Sequence, residues 1–182
     1  MNQVHTIKPR NAEKTKARIL AAAFDLFAEH GYAKTGIRDI ASRADVASSL
    51  IARHFGNKAN LFEQTLIHGI HTNSMFEEDK VSFGKHMARV VVSKADPQLT
   101  AMIMLAIADP ESKAIARKVT KEQIMEPLAK WIGPPNARAR AISMLTLMNG
   151  FMLQTKYLSS DRIPPAAERW LAKALQDLVD NR

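Results

Sequence analysis

Residues 47–58, ASSLIARHFGNK, bring Ser48, Ser49, Arg53, His54 and Lys58 into one short segment that holds no acidic side chain. Read as a helix, the segment carries Ser48, Ser49, Ala52 and Arg53 on its outer face, with His54 and Lys58 flanking them. Hydroxyls, a guanidinium, an imidazole and an ammonium are the donors that suit an anion, and small groups let a large partner approach closely. Solvent-facing helices ordinarily alternate the signs of their charges, so this one-sided composition points to an anionic partner. A weakly basic solvated helix has the same composition, and that reading stands beside the first.

Other chemistry finds little support. The 182 residues contain no cysteine, which excludes disulfides, zinc–thiolate sites and thiol catalysis, and a reducing cytoplasm fits. No Ser–His–Asp or paired-carboxylate spacing stands out, and there is no phosphate-cradling glycine loop. His68 and His71 lie three apart, with Glu77, Glu78 and His86 further on, but the spacing matches no metal motif and a solvated helix face accounts for the histidines. No metal and no cofactor are expected. The balance of 26 Lys and Arg against 18 Asp and Glu gives a net charge of +8, which favours a polyanion. The opening MNQVHTIKPR lacks the apolar core of a signal peptide, and no apolar run approaches the ~20 residues of a membrane span. A cytoplasmic protein with no membrane partner is expected.

Helices must position the donor-rich segment. Residues 1–10 are polar and basic, interrupted by Pro9, and read as a flexible arm. From Asn11, residues Ile19, Ala22, Ala23, Leu26 and Phe27 share one face while Lys14, Arg18, Asp25 and Glu29 take the other, and Gly31 stops the helix. A second helix begins at Thr35 as N-cap and turns Ile37, Ile40, Ala41 and Ala44 inward; a third runs through 47–54 with Ile51 and either Leu50 or Phe55 for packing. Only Ala44-Asp45-Val46 separates them, enough for a sharp turn. After Gly56-Asn57 a longer helix starts near Lys58, with Leu61, Phe62 and Leu66 inward. Asp96-Pro97 and Asp109-Pro110 each place a capping carboxylate before a proline. Gly133-Pro134-Pro135 and Ile163-Pro164-Pro165 separate three last segments, about 111–132, 136–158 and 165–180, and Pro127 should kink the first of them. No strand pattern and no internal repeat are present, so the fold class is all-α.

Two short helices joined by a tight turn, tied by Ile40, Ala41, Val46 and Ile51, satisfy the requirements of a helix-turn-helix, whose second helix enters a major groove. Residues 18–62, RILAAAFDLFAEHGYAKTGIRDIASRADVASSLIARHFGNKANLF, resemble the DNA-binding domain of the TetR family of bacterial transcriptional repressors. The resemblance covers the end of the first helix, the TGIRDIA start of the second, the VASSLI turn into the third and the RHFGNKANLF start of the fourth. It implies an N-terminal three-helix DNA-binding domain over 11–60 and a larger helical ligand-binding and dimerisation domain over 61–182. By position, Thr35 would cap helix two and touch phosphate. Gly36, Arg38 and Arg43 would lie beside the backbone or a base edge, Ser48, Ser49, Leu50, Arg53 and His54 would face the groove, and Lys58 would hold phosphate. Four positions depart from the family pattern: Gly36 lacks a hydroxyl, Asp45 replaces a turn glycine, Ala47 replaces a capping serine, and Ala52 replaces a groove-facing tyrosine.

The remaining two-thirds resemble the family in architecture. There the last two helices would form a four-helix bundle across a homodimer, through Ile142, Leu145, Met148, Met152, Leu153, Trp170, Leu171, Leu175 and Leu178. A pocket for a small-molecule effector would draw on Phe83, Met87, Met102, Leu105, Met125, Trp131, Met144 and Phe151, although methionine on an amphipathic helix is more often plain core. The expectation is a homodimeric regulator, not an enzyme, that binds a palindromic double-stranded operator and is released by a small apolar or amphipathic ligand. A helical ligand-processing enzyme and a nonspecific nucleic-acid-binding module remain the alternatives.

Overall fold

The structure is a computed structural model that describes residues 9–72, 79–92, 98–159 and 162–181, and among these every regular element is helical. The basic arm expected over residues 1–10 lies outside them except for its end, where the first helix already begins, and the expected Asp96-Pro97 cap also lies outside. The chain divides into two compact units, Met1–Gly69 with Ala101–Arg117, and Ile70–Thr100 with Lys118–Arg182.

In the first unit, α1 (Pro9–Lys34) is interrupted at Gly31, which takes φ 76° where a side chain is strained. Then come α2 (Ile37–Arg43), α3 (Ser48–Phe55) and α4 (Lys58–Thr72). Ile19, Ala23, Phe27, Ile40, Ile51, Leu61 and Phe62 are at most 1% exposed, so the apolar faces read from the sequence meet in one core. Phe55 is buried at its edge, whereas Leu50 is only half-buried. Phe27, Tyr32 and Phe62 form an aromatic cluster with centroids 5.0–6.0 Å apart. The Asn57 carboxamide accepts the Asn60 amide at 2.8 Å and so caps α4.

The unit also takes Ala101–Arg117, beyond the domain expected over 11–60. These residues come from α6 (Gln98–Ala106) and α7 (Pro110–Thr120). Leu105 lies against Gly31, where a β-carbon would stand 3.4 Å from the Leu105 Cβ, and Tyr32 bonds to Glu111. Asp109 caps α7 by accepting the Ser112 amide at 2.9 Å and the Ser112 hydroxyl at 3.2 Å. The Ser112 amide bond foremost, helped by its hydroxyl, the Glu111 amide and the charge of Lys58, outweighs desolvation and holds the carboxyl below the usual aspartate range.

The second unit contains α5 (Phe83–Val92), α8 (Glu126–Ile132), α9 (Ala137–Met152) and α10 (Pro165–Asp180). The disturbance expected at Pro127 appears as a π turn, Lys121–Met125, directly before α8. The wider turn accommodates a residue that lacks an amide hydrogen and crowds the carbonyl four positions back. α5 crosses α10 at Gly84, where a β-carbon would collide with the Ala172 carbonyl oxygen. Gln176 accepts the Gly84 amide at 2.9 Å and donates to the Lys80 carbonyl at 2.8 Å. Arg140 is 8% exposed and donates to the carbonyls of Gly133, Pro135, Leu178 and Val179, so a buried cation closes the end of α10 where the helix dipole is negative.

Several residues expected at a dimer surface or a pocket are core instead. Met148, Leu171 and Leu175 are 6%, 0% and 0% exposed, because α9 and α10 turn these side chains onto α5 of the same chain. Phe83, Met87 and Met144 belong to that same close-packed cluster and keep no free surface for a ligand. Met125, Trp131 and Phe151 are partly buried beside it, with the Phe83 and Trp131 rings 4.7 Å apart. Met102 and Leu105 sit elsewhere: Met102 is 1% exposed, and Leu105, in the first unit, is 40% exposed. Of the expected dimer residues, Ile142, Leu153 and Trp170 are exposed, and Leu145, Met152 and Leu178 are half-buried. An open groove of about 490 Å³ runs along α9 and α10 past Ile142, Thr146, Leu147, Ala174 and Leu178.

Among the described residues no three His, Asp or Glu side chains gather as metal ligands; Glu77 and Glu78 lie outside them. No described helix is long and apolar enough to cross a membrane.

Candidate nucleic-acid interface

The turn between α2 and α3 is closed by main-chain bonds from Ala44 to Ile40 at 2.9 Å, Asp45 to Ser42 at 3.1 Å and Val46 to Ala41 at 3.0 Å. Asp45 takes φ 49°, the left-handed conformation that aspartate tolerates better than most residues, so it fills the family's glycine position. It does not cap α3. Ala47 is the N-cap and supplies no side-chain bond, while the Asp45 carboxylate turns back to Arg18 of α1 at 3.0 Å.

On α3, Ser48, Ser49, Ala52 and Arg53 are exposed, and Ile51 and Phe55 are buried beneath them. The third helix therefore lies on its apolar side and presents donors outward. Leu50 and His54 sit at the margins, half-buried; His54 borders a groove of about 230 Å³ with Lys16, Asn60, Glu63 and Gln64. Arg38 on α2 is exposed. Arg43 stands 3.8 Å from Asp25 with about half its side chain in solvent, a pair worth at most ~1 kcal/mol that a phosphate can replace.

Thr35 is not placed as expected. It is 2% exposed, and its hydroxyl donates to the carbonyls of Gly31 at 2.8 Å and Leu26 at 3.2 Å, closing the end of α1. A buried hydroxyl committed to its own chain has no proton to offer a phosphate. Gly36 is the N-cap of α2, and Asp39 Oδ2 accepts its amide at 3.0 Å. Lys58 is half-buried, its ammonium 4.3 Å above the centre of the Tyr32 ring. Arg18, Tyr32 and Glu111 were not singled out as site residues by the sequence. An acidic turn residue beside an acid-free helix implies a nearby counter-cation, which is the signal that would have found Arg18.

Comparison with known proteins agrees with this geometry. Residues 19–65 match the model of bacterial regulatory proteins, tetR family, and residues 82–179 match that of the tetracyclin repressor-like C-terminal domain. An HTH-type transcriptional repressor of Mycobacterium tuberculosis is 52% identical over 60 residues, 33% of this chain and 32% of the relative, so the match spans about a third of that protein. Among solved structures, Salmonella enterica GusR superposes with a TM-score of 0.68 at 19% identity, over 99% of this chain and 98% of that one. NalD, the secondary repressor of the MexAB-OprM multidrug efflux pump in Pseudomonas aeruginosa, gives 0.63 at 18% identity, over 91% and 95%. These structural likenesses concern the fold, and the two family models together span most of the chain. With both its helix-turn-helix and its C-terminal helices matched, the chain belongs to the TetR family of bacterial regulatory proteins.

Proposed function

We propose that the protein is a sequence-specific DNA-binding transcriptional regulator of the cytoplasm, acting as a homodimeric repressor on a palindromic operator. The observation that carries this reading is the exposed, acid-free face of α3, with Ser48, Ser49 and Arg53 outward and Ile51 and Phe55 anchoring it below. Arg53 supplies a forked donor for a guanine edge, the two serines permit close approach, and Arg38, Arg43 and His54 meet the backbone on either side. Lys58 reaches phosphate by leaving the Tyr32 ring. Relatives named as repressors support the sign of regulation.

Two such helices related by a two-fold axis enter successive grooves about 34–36 Å apart, which requires a palindromic or near-palindromic site. Ile142, Leu153 and Trp170 are exposed apolar side chains in the last helical segments, and they are the residues offered for self-association. A small apolar or amphipathic effector held in the methionine-rich second unit would favour a form with the wrong spacing, and the coupling between effector and operator is then reciprocal.

The test is capture of sheared genomic DNA from the source bacterium by the purified protein, followed by binding to the enriched fragment at two salt concentrations. Enrichment of one palindrome with ~10³-fold or greater preference over random DNA is expected. Uniform, salt-labile binding would overturn the reading.

A further inference from the structure

Arg18 belongs to α1, outside the helix-turn-helix, yet a single nitrogen of its guanidinium serves the turn three times. Nη2 shares its two N–H bonds among the Ala44 carbonyl at 2.6 Å, the Asp45 carbonyl at 2.9 Å and the Asp45 carboxylate at 3.0 Å, so one hydrogen is bifurcated. Two of these acceptors are main-chain carbonyls, that of Ala44 at the C-cap of α2, which the helix leaves unpaired, and that of Asp45 in the turn beyond it. The third is a carboxylate 96% exposed in solvent, just before the acid-free segment. Because α3 begins without a side-chain cap, its direction depends on this turn and on the seats of Ile51 and Phe55.

We propose that Arg18 is a positioning residue for the DNA-reading helix: it fixes the turn that aims α3 and neutralises the carboxylate that stands directly before that helix. The proposal rests on the reading of α3 as the DNA-contacting helix. An ordinary surface ion pair would contribute little, since half-exposed pairs are screened by solvent. The two main-chain acceptors distinguish Arg18 from such a pair, because they tie the guanidinium to the backbone path and not only to a mobile side chain. Without Arg18, the turn keeps its own main-chain bonds but loses its tether to α1, and an uncompensated negative charge faces the phosphates.

Two readouts test this. In the free protein, amide hydrogen exchange over residues 44–52 should quicken about tenfold in Arg18→Gln while that over 61–66 stays unchanged. In DNA binding, with a duplex that the wild-type protein enriches from a random pool and a scrambled duplex of equal composition, Arg18→Gln should lose about tenfold more affinity for the first. Adding Asp45→Gly, which keeps the left-handed turn and removes the carboxylate, should restore part of that loss. If Arg18→Gln fails to fold, Arg18→Met carries both measurements, since it keeps the aliphatic stem and removes every donor to the turn. Unchanged local exchange would overturn the proposal. So would equal losses on both duplexes with a shallower salt slope, which would make Arg18 a plain phosphate contact. Should the wild type enrich no duplex, the DNA-binding reading fails, and the exchange measurement still decides whether Arg18 holds the turn.

Discussion

The Tyr32 hydroxyl donates a 2.6 Å hydrogen bond to Glu111 Oε2, joining residues 79 positions apart, the end of α1 to the start of α7. Above the same ring stands the Lys58 ammonium. One aromatic side chain thus gathers a carboxylate and a cation, and the bond to Glu111 ties Ala101–Arg117 to α1 within the first unit.

Burial, reinforced by the bond to Glu111, pushes the Tyr32 phenol well above its ordinary range. Folding therefore favours the neutral phenol: this contribution is complete below the unfolded value near ~10 and is lost as pH rises through the higher native value. In a phenolate absorbance titration, Tyr32 should resist ionisation past the free-phenol range, and Tyr32→Phe should abolish that late component. The same variant should lower stability by about 1 kcal/mol in urea unfolding. Tyr32 ionising in the ordinary range would contradict the bond.

Arg53→Ala should weaken binding to the preferred duplex by about 1–3 kcal/mol and relax its sequence preference. Lys58→Ala should weaken all sequences alike and reduce the salt slope by about 1. Binding isotherms at several salt concentrations separate the two effects. Wild-type affinity in both variants would remove these residues from the interface.

At the α5–α10 crossing, Gly84→Ala forces a β-carbon onto the Ala172 carbonyl and should cost about 1–3 kcal/mol, seen as a lower unfolding midpoint. An unchanged midpoint would mean that the two helices part without penalty.

Ile142→Glu together with Trp170→Glu should yield a folded monomer by light scattering, because both side chains are already in solvent in the single chain. Met148→Glu should instead unfold the second unit, since it places a charge within a closed apolar cluster. A folded double variant that remains dimeric would place the self-association surface elsewhere.

The helices and the first unit's core were legible in the sequence because periodicity reports directly on burial: Ile19, Phe27, Ile40, Ile51 and Phe62 are buried as their spacing requires. The Asp45 turn was legible through backbone preference. Thr35 was misplaced because hydroxyl type fits both an N-cap and a bond back into the preceding helix, and only geometry separates them. Met148, Leu171 and Leu175 were assigned to a partner because an amphipathic face does not say which helix covers it, and here α5 does. Tyr32–Glu111 and Arg18–Asp45 join residues far apart in the chain, which local pattern does not report.

The most direct measurement is selection of bound duplexes from a random-sequence pool by the purified wild-type protein, read by sequencing. The account predicts a two-fold symmetric motif whose half-sites lie one helical turn apart, about 10–10.5 base pairs, or a multiple of it. A bound pool indistinguishable from the input would contradict sequence-specific recognition by α3.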